Sequence, residues 1–205
     1  MRDISPAAPC HLSAAVESIA RDIQYHAFDH FSSKAAPMFG RPLRIWQCVA
    51  IFVVANVASI LPAGFNGDEA FYLQLRMPWI APPDWLFPPM WFFLNVTSLV
   101  ALYRVSHAEP SRSRILFIGS EMVGWVLFAV FSGLFFGLQS PVLGAINTGL
   151  GLVVAIFSVV VGWRSDRISA GLIALRVAWL LLATYVSSYI ATHNADAFLG
   201  IRPLW

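Results

Sequence analysis

Charge is what this sequence has least of. Asp, Glu, Lys and Arg make up 12% of its 205 residues, against about a quarter in an ordinary soluble domain. That is too little to cover a soluble surface, and with 58% hydrophobic residues the chain falls in the integral membrane class. Cysteine is nearly absent: Cys10 lies in a polar tail and Cys48 in an apolar segment, so no disulfide framework is expected. No basic run or aromatic-interleaved basic patch occurs, which excludes nucleic acid as a partner. Residues 1–44 lack a compact apolar core followed by a small-residue cleavage site, so insertion is expected to rely on later segments rather than a signal peptide. No internal repeat is evident, which argues against a carrier built from inverted halves. No nucleophile–base–orienter set, phosphate loop or paired carboxylate site is present, so no enzyme is expected. His26 and His30 are four apart beside Asp22 and Asp29, but no third strong ligand follows at metal-site spacing, and no metal is expected. For His107 and His193, at membrane edges, an axial-ligand reading and a plain interfacial reading both stand.

Five apolar stretches are long enough to cross about 30 Å of hydrocarbon: residues 45–61, 87–103, 115–137, 142–163 and 168–191. The expected fold is an all-α integral membrane protein, a five-transmembrane-helix bundle. The third and fourth segments join tightly around Gln139-Ser140-Pro141, as antiparallel neighbours do. Arg2, Arg21, Lys34, Arg41 and Arg44 precede the first segment. Arg104, Arg112 and Arg114 lie between the second and third, and Arg164 and Arg167 between the fourth and fifth, whereas the opposite side carries only Arg76 and Arg202. Positive charge accumulates on the cytoplasmic side, so the N-terminus is expected in the cytoplasm and the C-terminus outside. A bacterial inner membrane is the expected location, since outer membranes mainly hold barrels. Residues 1–42 form a cytoplasmic extension, 43–194 the bundle and 195–205 a tail. In the extension Leu12, Val16, Ile19, Ile23, Ala27 and Phe31 recur at helical spacing with charges interleaved, an amphipathic N-terminal helix that rests on lipid or docks to a partner.

Between the first two spans, residues 78–91 hold five prolines and three tryptophans, the latter being Trp79, Trp85 and Trp91. Proline excludes ordinary helix interior until the chain has passed Pro89. Tryptophan suits a membrane interface or the wall of a pocket for a flat ligand. Within the spans, Glu121 and Arg176 enter from the same side to a similar depth of about 10 Å. Charge there is costly, so the two are predicted to pair, either as a structural lock between the third and fifth spans or as a relay. Gly133 and Gly137 form a GxxxG motif, and Ala145 with Gly149 a second small pair. Both offer close helix approach within the monomer or in a homodimer.

The run Tyr72-x-x-Leu75-x-x-Pro78-x-x-x-Pro82-Pro83-x-Trp85-Leu86-Phe87-x-Pro89-x-Trp91 resembles the signature of the TspO/MBR family, the tryptophan-rich sensory and translocator proteins. Two further matches follow in order: Phe131-Ser132-Gly133-Leu134-Phe135-Phe136-Gly137, and Trp179 through Ala183 to Asn194. The resemblance covers about residues 44–194 and implies the same five-helix architecture. It also implies a pocket inside the bundle for flat hydrophobic molecules such as porphyrins, other tetrapyrroles or sterols, with the loop 62–86 as a lid. Carried over by position, the ligand-binding residues would be Pro82, Pro83, Trp91, Trp179, Ala183 and Asn194, with Trp85 and Phe131 adding aromatic surface for stacking.

The chain departs from the family pattern at several positions. Ile80 stands where a tryptophan usually precedes the double proline, with Trp79 shifted by one. Phe131 replaces the helix-three tryptophan and Phe128 the asparagine three residues before it. Leu175-Arg176 replaces a proline-tyrosine pair, Val186-Ser187 a leucine-asparagine pair, and Phe92 and Asn95 the threonine and tyrosine after Trp91. These changes remove orienting polar groups and the loop tryptophan used in porphyrin-degrading chemistry, so the resemblance implies binding without catalysis.

Two functions are therefore expected. One is a membrane receptor or sensor for a tetrapyrrole or an isoprenoid- or sterol-like ligand, with haem or porphyrin, (bacterio)chlorophyll or carotenoid as candidate cargo. The other is a TspO-like accessory subunit of a larger membrane complex, such as a photosynthetic pigment–protein complex. The N-terminal extension and the aromatic tail ending in Trp205 favour the second.

Overall fold

The computed structural model describes residues 41–63 and 68–204. The expected amphipathic helix, His26, His30, Cys10 and Trp205 lie outside the described residues. Six α-helices are present among them: α1 (Ile45–Ala63), α2 (Asp68–Leu73), α3 (Phe87–Ser106), α4 (Arg112–Ser132), α5 (Pro141–Ser165) and α6 (Arg167–His193). A 3₁₀ turn (Asp84–Leu86) leads into α3, and a π-helical turn (Gly133–Gly137) extends α4. No β-strand occurs among the described residues.

Each boundary has a local cause. Pro88 and Pro89 sit in the first turn of α3, where backbone N–H groups have no intrahelical partner and a missing donor costs nothing. Ser111 caps α4 by accepting from Arg114 N at 3.1 Å, and Ser140 caps α5 by accepting from Leu143 N at 3.2 Å, with Pro141 next. Asp166 ends α5 and caps α6, accepting from Ile168 N at 3.3 Å. Gln139, at φ +51°, adopts the left-handed conformation that lets the chain reverse between α4 and α5 within a few residues.

Four stretches of 23 to 27 residues, Asp84–Ser106, Arg112–Gly137, Pro141–Ser165 and Arg167–His193, are long and apolar enough to cross a membrane. The apolar part of α1, Ile45–Leu61, is shorter and reaches only about 25 Å at 1.5 Å per residue. Large apolar side chains face outward, among them Val49, Val53 and Ile60 on α1 and Leu150, Val153 and Val160 on α5. A helix that is apolar on its outer face as well as its inner one belongs in hydrocarbon. The molecule is an all-helical membrane bundle, an integral membrane protein whose outer surface contacts lipid.

The long helices close into a ring in the order α1, α4, α5, α6, α3, with the sparsest contact between α3 and α1. Close approach along α5 is made at glycines other than those singled out by motif. A Cβ at Gly144 would lie 2.6 Å from Phe135 Cδ2, and one at Gly162 would lie 2.8 Å from Phe117 Cε2. At Gly149 it would meet nothing within 4 Å, so the Ala145/Gly149 pair is not a site of close approach within the bundle. Gly133 and Gly137 bracket the π-helical turn, where Leu138 N donates to Gly133 O at 2.9 Å. Their segment packs on α1 and α2.

The arginine-bearing ends of the helices meet at one end of the bundle. Arg104 Nε, near the end of α3, donates to Asp166 Oδ2 at 2.8 Å, and Leu43 N, ahead of α1, donates to Ser106 Oγ at 3.1 Å. At the other end Asp196 is buried and gathers the tail. It accepts from Ser140 Oγ at 2.6 Å, Val142 N at 3.0 Å and Leu199 N at 2.8 Å, and its backbone pairs with Ile201. Leu204 N then donates to Thr192 O at 2.8 Å, tying the tail back to α6.

Candidate functional site

Within the connection read from sequence as a loop and lid, residues 68–86 are partly folded, and they close the end of the bundle opposite the Arg104–Asp166 pair. Phe71 of α2 meets Phe135 edge-on at 5.6 Å, and Tyr72 packs on Phe136 at 6.2 Å. Met77, Leu75 and Ala81 add to the cluster formed by Phe135, Val186 and Ile190. Two polar ties hold this cover. Tyr72 Oη donates to Asp84 Oδ1 at 2.9 Å; burial first, and then the neighbouring carboxylate, raise the tyrosine pKa above its ordinary value, so the phenol stays a donor. Asn194 accepts from Arg76 N at 2.8 Å and donates to Arg76 O at 3.2 Å, fixing the strand of chain after α2 to the end of α6.

Beneath the cover is a cavity of about 690 Å³, within the range for small-molecule sites. On α6 its lining runs from Ile190 through Val186, Ala183 and Trp179 to Arg176, fourteen residues or about 21 Å of depth. Aromatic rings recur along the wall. Trp91 packs on Phe128 at 5.2 Å, Phe87 meets Trp179 edge-on at 5.6 Å, and Phe131 stacks on Phe135 at 5.6 Å with 9° between the planes. Polar side chains are the minority and are spread along the depth, from Tyr72 and Asp84 of the cover to Arg176 at the deep end. Asn95 is buried, with Asn56 at 3.5 Å, and Asn147 Nδ2 donates to Leu127 O at 3.1 Å.

The sequence-predicted residues divide. Pro82, Trp91, Phe131, Trp179 and Ala183 line the cavity together; Pro83, Trp85 and Asn194 do not. Trp85 is 72% exposed. In a 3₁₀ turn consecutive side chains point about 120° apart, and here Asp84 takes the inward direction, so Trp85 turns away. Pro83, extended at φ −63° and ψ 145°, precedes that turn and does not face the cavity. Asn194 ties down the cover. Trp79, at 93% exposure, and Ile80 also lie outside the lining. Two wall residues, Trp125 and Phe128, were not among the predicted binding residues. Both could have been found by counting back from Phe131 in steps of three along one helix face.

At the deep end Arg176 Nη1 lies 3.2 Å from Glu121 Oε2, so the structure brings together the two charges that sequence depth placed at one level. Ser98 Oγ donates to the same Oε2 at 2.6 Å. Glu121 is entirely buried, and its Oε1 has no hydrogen-bond partner; the same holds for Nε1 of Trp125 and of Trp179. A buried donor or acceptor left unpaired costs about 1–3 kcal/mol. Gly124 makes room for the arginine, since a Cβ there would lie 3.2 Å from Arg176 Nη1.

No curated protein gives a significant match to the chain. The TspO/MBR family matches over residues 48–192, a span that takes in all five long helices, the cover and the cavity beneath it. Membership of this family supports a membrane sensory or binding protein in general terms. With most of its length matched, the chain belongs to the TspO/MBR family.

Proposed function

We propose that the protein is a non-catalytic membrane receptor or sensor that holds a flat hydrophobic molecule, a tetrapyrrole or an isoprenoid- or sterol-like compound, in the cavity beneath the cover. The observation that carries this reading is the cavity of about 690 Å³ lined by Trp91, Phe131 and Trp179, with Arg176 at its deep end. Trp91, Phe131 and Trp179 supply rings for a planar ligand to stack on, and segment 68–86 acts as the lid, with the Tyr72–Asp84 and Asn194–Arg76 ties released for entry. The arginine-rich end of the bundle is read as cytoplasmic, which puts the lid on the outer face of a bacterial inner membrane. The test is titration of the purified protein with protoporphyrin or haem while tryptophan fluorescence is followed. Saturable quenching, weakened by Trp179→Ala, is expected; quenching that never saturates would refute the reading.

One observation favours the accessory-subunit reading as a second possibility. The tail presents Phe198, Leu199, Ile201 and Leu204 on its surface, all at least 40% exposed, an apolar patch beside the lid. A stoichiometric complex after mild solubilisation, kept when Trp91 and Trp179 are replaced and lost when residues 1–40 are deleted, would support it. Absorption of such a preparation would reveal a (bacterio)chlorophyll, haem or carotenoid cargo by its band.

A further inference from the structure

A second cavity, of about 460 Å³, lies at the arginine-bearing end of the bundle, where residues 41–46 pass the end of α3. It shares no lining residue with the lidded cavity. Two parts build it. The segment ahead of α1 is pinned to α3 by Leu43 N, which donates to Ser106 Oγ at 3.1 Å, and Ser106 is itself buried. Arg44 N is held in turn by Gln47 Oε1 at 2.8 Å. Arg41 and Arg44 therefore leave one short anchored segment, and both line the cavity. On the α3 side His107 packs its ring on Tyr103, with centroids 4.3 Å apart. Its Nδ1 lies 2.9 Å from Tyr103 O, so Nε2 is the ring nitrogen left for another partner.

The charge of this cavity is unbalanced. Its lining holds two guanidiniums and an imidazole and no carboxylate. Asp166 is engaged by Arg104 at 2.8 Å, and Glu109, two residues past His107, is not in the lining. Among the described residues Arg41 and Arg44 have no ion-pair partner. A guanidinium fork matches the oxygens of an anion such as phosphate.

The rest of the wall says what carries that anion. Ile45 and Trp46 are mostly exposed and open the apolar stretch of α1, and Tyr103 closes the apolar stretch 87–103. The cavity thus sits where both helices cross from headgroups into hydrocarbon, a level that suits tryptophan and tyrosine. A soluble anion would use the arginines alone. A phospholipid would use both halves of the wall, its phosphate on the arginines and its first chain carbons on Ile45 and Trp46. A zwitterionic headgroup would bring an ammonium that two guanidiniums repel and no lining carboxylate receives.

We propose that this cavity binds an anionic phospholipid, whose phosphate is received by Arg41 and Arg44 with His107 beside them. The site does not depend on the reading of the lidded cavity.

The experiment is native mass spectrometry of the full chain released from mild detergent, with phosphatidylglycerol or phosphatidylcholine of identical acyl chains added in steps. The first phosphatidylglycerol is expected to bind about tenfold tighter than the first phosphatidylcholine. Arg41→Gln with Arg44→Gln should bring that ratio close to one. Arg164→Gln with Arg167→Gln removes the same charge from the same end of the bundle but outside the cavity, and should change the ratio by less than about twofold. All four arginines are exposed, so neither pair takes packing from the core. Should the first pair fail to fold, Arg41→Gln alone, outside α1, decides by a several-fold fall in the ratio. Equal losses from the two pairs would mean diffuse attraction by charge and would overturn the site. Equal affinity of the unaltered chain for the two lipids would overturn it as well. Inorganic phosphate at the concentration of the lipid should not displace it; displacement would make this a site for a soluble anion and overturn the lipid assignment.

Discussion

Breaking the Glu121–Arg176 pair from one side should cost far more than removing it from both. At 3.2 Å and an effective dielectric constant near 20, the Coulomb attraction is about 5 kcal/mol. Taking each ion out of water costs several kcal/mol, so the pair comes close to breaking even against apolar replacements. A lone survivor has no such offset. Arg176→Met would leave Glu121, with 0% exposure and Oε1 already unpartnered, holding only the Ser98 hydroxyl at 2.6 Å. The expected loss is about 3–5 kcal/mol. Glu121→Gln should cost a similar amount by leaving the arginine uncompensated beside Gly124. With both replaced, the loss should fall to about 1–2 kcal/mol, the cost of imperfect packing alone. Unfolding by titration from mild detergent into dodecyl sulfate, followed by circular dichroism, measures all four corners of the cycle. If Glu121→Gln leaves folded yield and stability unchanged, or if the two single losses simply add in the double variant, the pair is not the lock described here.

Three further outcomes follow from the geometry. Gly162→Ala puts a methyl 2.8 Å from the ring of Phe117, which is completely buried and cannot retreat; the same assay should show a loss of about 1–3 kcal/mol, whereas Gly171→Ala, with nothing within 4 Å, should be neutral or slightly stabilising. Asp196→Ala removes acceptors for Ser140, Val142 and Leu199 and should destabilise by about 3 kcal/mol, with faster proteolysis of the tail as a second readout. Hydrogen bonding from Arg104 is the main cause that lowers the Asp166 carboxyl to about 2 from 3.8. Its contribution to stability is therefore complete above the unfolded value near 3.8 and lost as pH falls through about 2; Arg104→Met should flatten that acid limb, and an unchanged limb would show that the pair does not act this way.

The lid shows where reading from sequence reached its limit. Proline placement alone required α3 to start near Phe87, because only a first turn tolerates Pro88 and Pro89. Nothing local says that Asp84, and not Trp85, points inward, since a 3₁₀ turn and an extended segment with these residues present different faces. Asn194 illustrates the same limit: its place at the end of α6 was legible, but its bonds to Arg76 join residues 118 apart in sequence. The Ala145/Gly149 pair was misleading for a related reason. Small residues at i and i+4 permit close approach, but whether a helix comes close at Gly149 or at Gly144 and Gly162 depends on where Phe135 of the π-helical turn and Phe117 of α4 project.

What the sequence alone determined is what depends on composition and period: a membrane bundle with long apolar helices, their ends within a few residues, and two charges at one depth that must meet or be lost. These follow from hydrocarbon thickness, the rise of a helix and the cost of a bare ion, none of which needs the other helices in place. What only the tertiary structure decided is which side chains share the cavity. Trp125 and Trp179 became unpaired donors, and Trp85 a bystander, through the ring order of the helices and the turn of the lid. Those depend on packing between segments far apart in the chain, where no local preference reaches.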